Sequence, residues 1–156
     1  GIDGTNGQNG TNGQNGTNGK DGNANIRSYT TTVNASDWFS VAPTMKVIDL
    51  SVSIVTEEIA NHGMVMVYLQ TGNYGNAPMW SAMPFSRQVF DNYYQGYDFW
   101  VIPGDVRLHS TASNGNPEAP TTQVRIIAAT FEGLVRYPDL DWTNYEAVCE
   151  AMNLAE

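Results

Sequence analysis

Two histidines, one cysteine and sixteen carboxylates are what this chain offers for acid–base, nucleophilic or metal chemistry. His62 and His109 have 46 residues between them, and neither sits in an HExxH-like spacing or beside other Cys or His residues that would put two ligands on one metal. Each is expected to be a hydrogen-bonded structural histidine. No G-x-S-x-G, P-loop or kinase signature occurs, so no residue is put forward as catalytic and neither cofactor nor metal is expected. Asp139 and Asp141, in PDLD, have the hard oxygens that calcium prefers. They lack the further carboxylates of a D-x-D-x-D-G loop, and a solvated turn is the expectation. Asn9 and Asn15 (NGT) and Asn34 (NAS) match the N-x-S/T acceptor pattern for glycans, and the hydroxyls of Thr5, Thr11 and Thr17 are candidate acceptors for O-linked sugars.

The remaining concentration of chemistry is aromatic. Tyr74, Trp80, Tyr93, Tyr94, Tyr97 and Trp100 are too many rings for one small core, so some of them are expected at the surface or at an interface. An exposed row of rings serves either to stack on glycans or to seal one subunit against another.

What positions all of these residues is set first by glycine. Gly1, Gly4, Gly7, Gly10, Gly13, Gly16, Gly19 and Gly22 occupy every third position without a slip, and then the register stops. Three polyproline-II chains wind about a common axis only if each third residue lacks a Cβ, so this period predicts a collagen-like triple-helical stalk over residues 1–24. A flexible Gly/Asn-rich linker and another glycine-packed polyproline-II array are the alternatives. Linkers need glycine often but not in phase. A single-chain bundle needs several glycine runs where this chain has one, and a hexapeptide β-helix needs an apolar residue in each turn, which Thr5, Gln8, Thr11, Gln14 and Thr17 do not supply. The triplets contain no proline, so the unfolded stalk is less restricted and ordering it costs more backbone entropy. So short a run is not expected to hold a triple helix unaided.

Of 156 residues, those after the stalk are enough for one domain with a core of its own. The formal net charge is −9, of which Asp3, Lys20 and Asp21 account for −1, leaving −8 on the head. Such a head is a poor ligand for nucleic acid or anionic membranes. No stretch reaches the length of a membrane span. Cys149, being alone, cannot pair within the chain. Tyr145, Val148, Cys149 and Met152 recur at i, i+3, i+4 and i+7, which places the thiol on the apolar stripe of a short terminal helix, buried rather than bridging chains. Beginning at Gly1, already in register, fits a chain from which a leader or anchor has been removed or left out.

Residues 25–156 read as an all-β head. Ile26 to Val33 alternates as an edge strand. Asn34, Ser36 and Asp37 offer turn or capping side chains before Trp38 and Phe39. Lys46 to Val55 is a strand with Ile48, Leu50, Val52 and Ile54 on one face. Thr56 caps a helical turn through Ala60 closed by Gly63, and a buried strand follows over Met64 to Gln70. Gly72, Asn73 and Gly75 make a hairpin turn into Ala77 to Met83. Asp98 to Ile102 and Val106 to Thr111 are strands joined by Pro103, Gly104 and Asp105. Ser113 to Pro120 is an exposed loop, Gln123 to Thr130 the last strand, and Trp142 to Asn153 a helix capped by Thr143. Short strands separated by turn signals predict an antiparallel β-sandwich or jelly roll with a short C-terminal helix.

The Gly-x-y run followed by VNASDW (Val33 to Trp38), MVMVYL (Met64 to Leu69), FWVIPGDVRL (Phe99 to Leu108), VRIIAA (Val124 to Ala129) and DWTNYEAVCEAMNL (Asp141 to Leu154) resembles the collagen-like surface proteins of Bacteroidetes-type bacteria. In these a lipoprotein leader, a Gly-x-y stalk and a small β-rich head follow in order. The resemblance covers nearly the whole chain and implies an extracellular or cell-surface, non-enzymatic protein. Stalks of that kind usually contain proline and charged triplets, and the lipidated cysteine of a lipoprotein's mature start is absent from this sequence. The expectation is a homotrimer in which associated heads clamp a weak stalk of about 70 Å (about 3.1 Å per residue), with stalk amides docking on the head of the next trimer to form a head-to-tail filament. Contacts between subunits are the preferred role of the aromatics. A surface adhesin whose head binds glycans is the alternative.

Overall fold

The computed structural model describes residues 25–153. The glycine repeat, with Gly1 to Gly22 and the candidate sugar acceptors Thr5, Asn9, Thr11, Asn15 and Thr17, lies outside the described residues.

The described chain forms nine strands and three short helices: β1 (Ile26–Val33), β2 (Phe39–Ala42), β3 (Met45–Ser51), α1 (Glu57–His62), β4 (Met64–Tyr74), β5 (Ala77–Ala82), β6 (Phe85–Phe90), β7 (Tyr93–Ile102), β8 (Asp105–Ala112), β9 (Thr122–Ala129), α2 (Phe131–Val135) and α3 (Tyr145–Met152). All strand pairs are antiparallel, in a four-stranded sheet of order β1-β9-β4-β5 and a five-stranded sheet of order β2-β3-β8-β7-β6.

Alternation along the strands sorts the apolar residues into two layers. Val33, Val67, Leu69, Val124, Ile126 and Ala128 of the first sheet meet Ile48, Tyr97, Val106 and Leu108 of the second, with Trp38, Val52, Val55, Ile59 and Met83 at the margins, which is the packing of a β-sandwich. The opposite face of the four-stranded sheet is covered as well: Ile26, Tyr68, Ile127 and Ala129 pack against Tyr145, Val148 and Cys149 of α3, with Leu134, Tyr137 and Trp142 alongside. The outer face of the five-stranded sheet has no such cover among the described residues.

Several boundaries differ from expectation, each for a local reason. β3 ends at Ser51 rather than Val55 because its neighbour β8 begins opposite, at Asp105. Beyond that point the Val52 N–H donates to Gly104 O (2.8 Å) and the Val55 N–H to Val52 O (3.0 Å), a bend that buries both valines. β4 runs on to Tyr74, since Gly72 sits at a register shift within the ladder instead of in the turn; the reversal falls at Gly75, whose φ is 64°. The cap of α3 is Asn144, which accepts from the Ala147 N–H (3.0 Å), while the N–H and hydroxyl of Thr143 both donate to Asp141. β2, β6 and α2 lie where the sequence predicts no element. β2 is exposed throughout and β6 nearly so, so neither edge strand has the alternation that marks a buried face.

Thr56 caps α1 as its position implies, accepting from the Ile59 N–H (3.2 Å), and the Gly63 N–H closes the helix on Ile59 O (2.9 Å). Gly63 is required for space: a Cβ there would lie 2.1 Å from the carbonyl oxygen of Ala129. Gly63→Ala should therefore force β4 away from β9, lowering stability by about 3 kcal/mol. Urea unfolding of the two proteins is the measurement, and equal midpoints would refute the assignment.

Candidate functional site

On the outer face of the five-stranded sheet, register places chemistry in rows. Phe39 of β2, Val47 of β3, His109 of β8 and Asp98 of β7 are direct partners across four strands, and Asp49, Arg107 and Trp100 form the next row. In the second row Arg107 donates from Nε to Asp49 Oδ1 (2.7 Å) and from Nη2 to Asp49 Oδ2 (2.9 Å), a bidentate pair. These bonds hold the Asp49 carboxyl below the usual carboxylate range and raise the Arg107 guanidinium above its own. Both groups stand at the surface, so the pair contributes orientation more than stability. In the first row His109 Nδ1 lies 2.8 Å from Asp98 Oδ1, and the imidazole is buried beneath the edge of Trp100, with ring centroids 4.5 Å apart. Trp100 itself remains 64% exposed and Ile102 59%, with Phe39, Val41 and Tyr94 about half exposed. Asp49, Trp100, Ile102, Asp105 and Arg107 line a shallow depression of about 480 Å³.

A second concavity, of about 440 Å³, opens at one end of the sandwich between Thr32, Gln70, Thr71, Arg87, Tyr97 and Glu118. Its polar groups are engaged with one another. Glu118 accepts from the Tyr97 hydroxyl (2.6 Å) and from Arg87 Nη2 (3.0 Å), its N–H donates to Gln95 Oε1 (3.0 Å), and its carbonyl accepts from the Ser110 hydroxyl (2.6 Å). Residues 113–120 are thus a strap fastened to the core rather than the wholly exposed loop expected, and Trp38 Nε1 extends the fastening to Pro120 O (3.0 Å).

The six aromatics singled out in the sequence do not assemble into one shelf. Tyr97 is buried between the sheets. Tyr93 is buried too, stacks on Phe90 at 4.7 Å and donates its hydroxyl to Asn116 O. Trp80 is half buried, stacked on Tyr145 at 4.6 Å beneath α3. Tyr74 stands exposed at the β4–β5 hairpin. Tyr94 and Trp100 remain on the uncovered face, separated by six positions of β7. Of the other candidates, His62 is exposed at the end of α1, Asn34 is exposed where it precedes a single 3-10 turn, and Cys149 is buried in α3. Asp139 and Asp141 are exposed, and hydrogen bonds from Thr143 lower the Asp141 carboxyl. Among the described residues no three His, Cys, Asp or Glu side chains cluster as a metal site would require, and no helix is long and apolar enough to cross a membrane. The sequence does not reveal the bidentate Asp49–Arg107 pair; its only signal there is a charge on the wet side of each strand. A scan against protein-family models and searches of curated proteins and solved structures give no match to this chain.

Tyr68 and Tyr97 both have phenols pushed far above the ordinary value of 10.0, first by burial, and in Tyr97 also by its bond to Glu118. The folded state holds these protons while the unfolded chain releases them near pH 10, so this contribution to stability is complete below about pH 10 and falls as pH rises beyond it. In an alkaline titration, Tyr97→Phe should remove one tyrosine's phenolate absorbance from the phase that accompanies unfolding. An unchanged amplitude would show that Tyr97 ionises in the native fold.

Proposed function

We propose that this chain is a non-enzymatic structural protein of the bacterial surface or extracellular space: a homotrimer wound through its Gly-x-y stalk, clamped by a β-sandwich or jelly-roll head, and polymerising head to tail into filaments. The observation that carries this reading is the glycine period, eight in phase, with three residues between its last glycine, Gly22, and the first strand of the head. A stalk without proline needs help to stay wound, and heads that associate hold the three strands at high effective concentration. The apolar residues left on the outer face of the five-stranded sheet favour association as well, because monomeric domains seldom leave such a face bare. Sedimentation of the full chain should give masses in multiples of three copies, down to three at low concentration, and negative-stain microscopy should show fibres with a regular axial repeat. Deleting Gly1 to Asn18 should leave heads that form no fibres; fibres that persist unchanged in the deletion would refute the filament.

A second reading, a glycan-binding head, is favoured by one observation: Trp100 turns an open indole outward beside the fixed donors and acceptors of Asp49 and Arg107. The negative ring face suits sugar C–H groups, and the ion pair suits vicinal hydroxyls. In glycan-array binding, Trp100→Ala should lower affinity at least about tenfold, or 1.4 kcal/mol, with little change in melting. Trp80→Ala, which removes a packed ring, should instead lower the melting temperature. Absence of saturable glycan binding by the parent protein would end this reading.

A further inference from the structure

We propose that α2 is the seam at which three heads meet, with Phe131 and Val135 of each copy packing against a neighbouring copy around the three-fold axis. The inference rests on the triple-helical reading of the glycine repeat and adds to it the surface that the repeat must bring together.

Where the repeat ends fixes which part of the head lies nearest the axis. A triple helix crowds its glycines onto one line, and the three residues from Gly22 to Asn25 span at most about 11 Å even when fully extended. Asn25 of every copy is therefore tethered close to that line. On the head, the surface beside Asn25 is α2. The Thr130 N–H donates to Asn25 O (2.9 Å), and the Thr130 hydroxyl donates to Asn25 Oδ1 (3.1 Å) while accepting from the Gly133 N–H (3.1 Å), so one side chain joins the helix cap to the start of β1. Gly133 rests directly on that start: a Cβ there would lie 2.7 Å from Asn25 O and 2.8 Å from Ile26 Cγ1.

The two sides of α2 are unlike. Gly133 is buried and Leu134 packs with the layer beneath α3. Phe131 and Val135, four positions apart and so on one side of the helix, are 62% and 53% exposed. An exposed Phe and Val immediately beside the junction with a trimerising repeat are apolar surface that a second copy would cover. Their neighbours on the helix, Glu132 and Arg136, carry opposite charges and are exposed, so each copy brings both signs to the rim of the same contact. A three-fold arrangement of this kind is heterologous and closes on itself, and it draws on no residue of the five-stranded sheet.

The test is sedimentation of the full chain as a function of concentration, with Phe131→Asp, Val135→Asp and, as a control on the distant edge strand β6, Phe90→Asp. A trimeric parent whose dissociation midpoint rises at least about tenfold in the two α2 variants, and not in the control, supports the seam. A trimeric parent with all three variants unchanged overturns the seam and leaves the triple-helical reading standing. A monomeric parent overturns both. Near-UV circular dichroism confirms that the variant heads are folded. If Phe131→Asp does not fold, Phe131→Ser replaces it: a raised dissociation midpoint supports the seam, and an unchanged one, in a protein that is trimeric by sedimentation, overturns it.

Discussion

The pairing of β9 between β1 and β4 is the constraint on which the rest of this fold depends. Val124, Ile126 and Ala128 of that strand face the five-stranded sheet, while Ile127 and Ala129 face the layer under α3, so a single run of residues serves two apolar layers at once. A strand buried on both sides permits no slip by one position, because each face would then receive side chains sized for the other. The small residues Ala128 and Ala129 at its end, and Gly63 opposite Ala129 O, let α1 and the start of β4 come in close. The same end of β9 leads through Thr130 into α2, and thus sets the place where the chain's first described residue, Asn25, is held.

What could be read from the sequence followed burial. β1 has the expected limits and β9 is displaced by one residue, because β-branched side chains alternate there between a filled face and a second one. The end of β3 was not legible: Val52 and Val55 are buried as an apolar run suggests, but through a bend whose hydrogen bonds come from Gly104, far along the chain. β2 and β6 were not legible either, since an exposed edge strand is held by its ladder and leaves little trace in hydropathy. The aromatics show the limit of composition most clearly. Trp80 and Trp100 are the same residue type and both lie in strands, yet Trp80 lies under α3 against Tyr145 and Trp100 lies open, a difference decided by which sheet face the C-terminal helix covers.

The head's two broad outer surfaces differ in what covers them. One face of the four-stranded sheet is closed by the chain's own C-terminal segment, with Tyr68 donating to Trp142 O and Tyr145 wedged between Tyr68 and Trp80. The outer face of the five-stranded sheet retains an ion pair, a buried histidine and a bare indole within three neighbouring strands. That face and the α2 corner share no residue, so the contacts proposed for each do not compete for the same side chains.

The way the first strand is anchored also bears on how the molecule would carry a load. All eight residues of β1 pair with β9, from Ile26 opposite Ala129 to Val33 opposite Thr122. Tension arriving along the strand axis through Asn25 would strain those rungs in shear, together, instead of peeling them apart in turn. That holds where the load leaves the head at the far end of the ladder; a load passed on through α2 and α3, which follow Ala129 beside Ile26, would instead open the rungs one at a time.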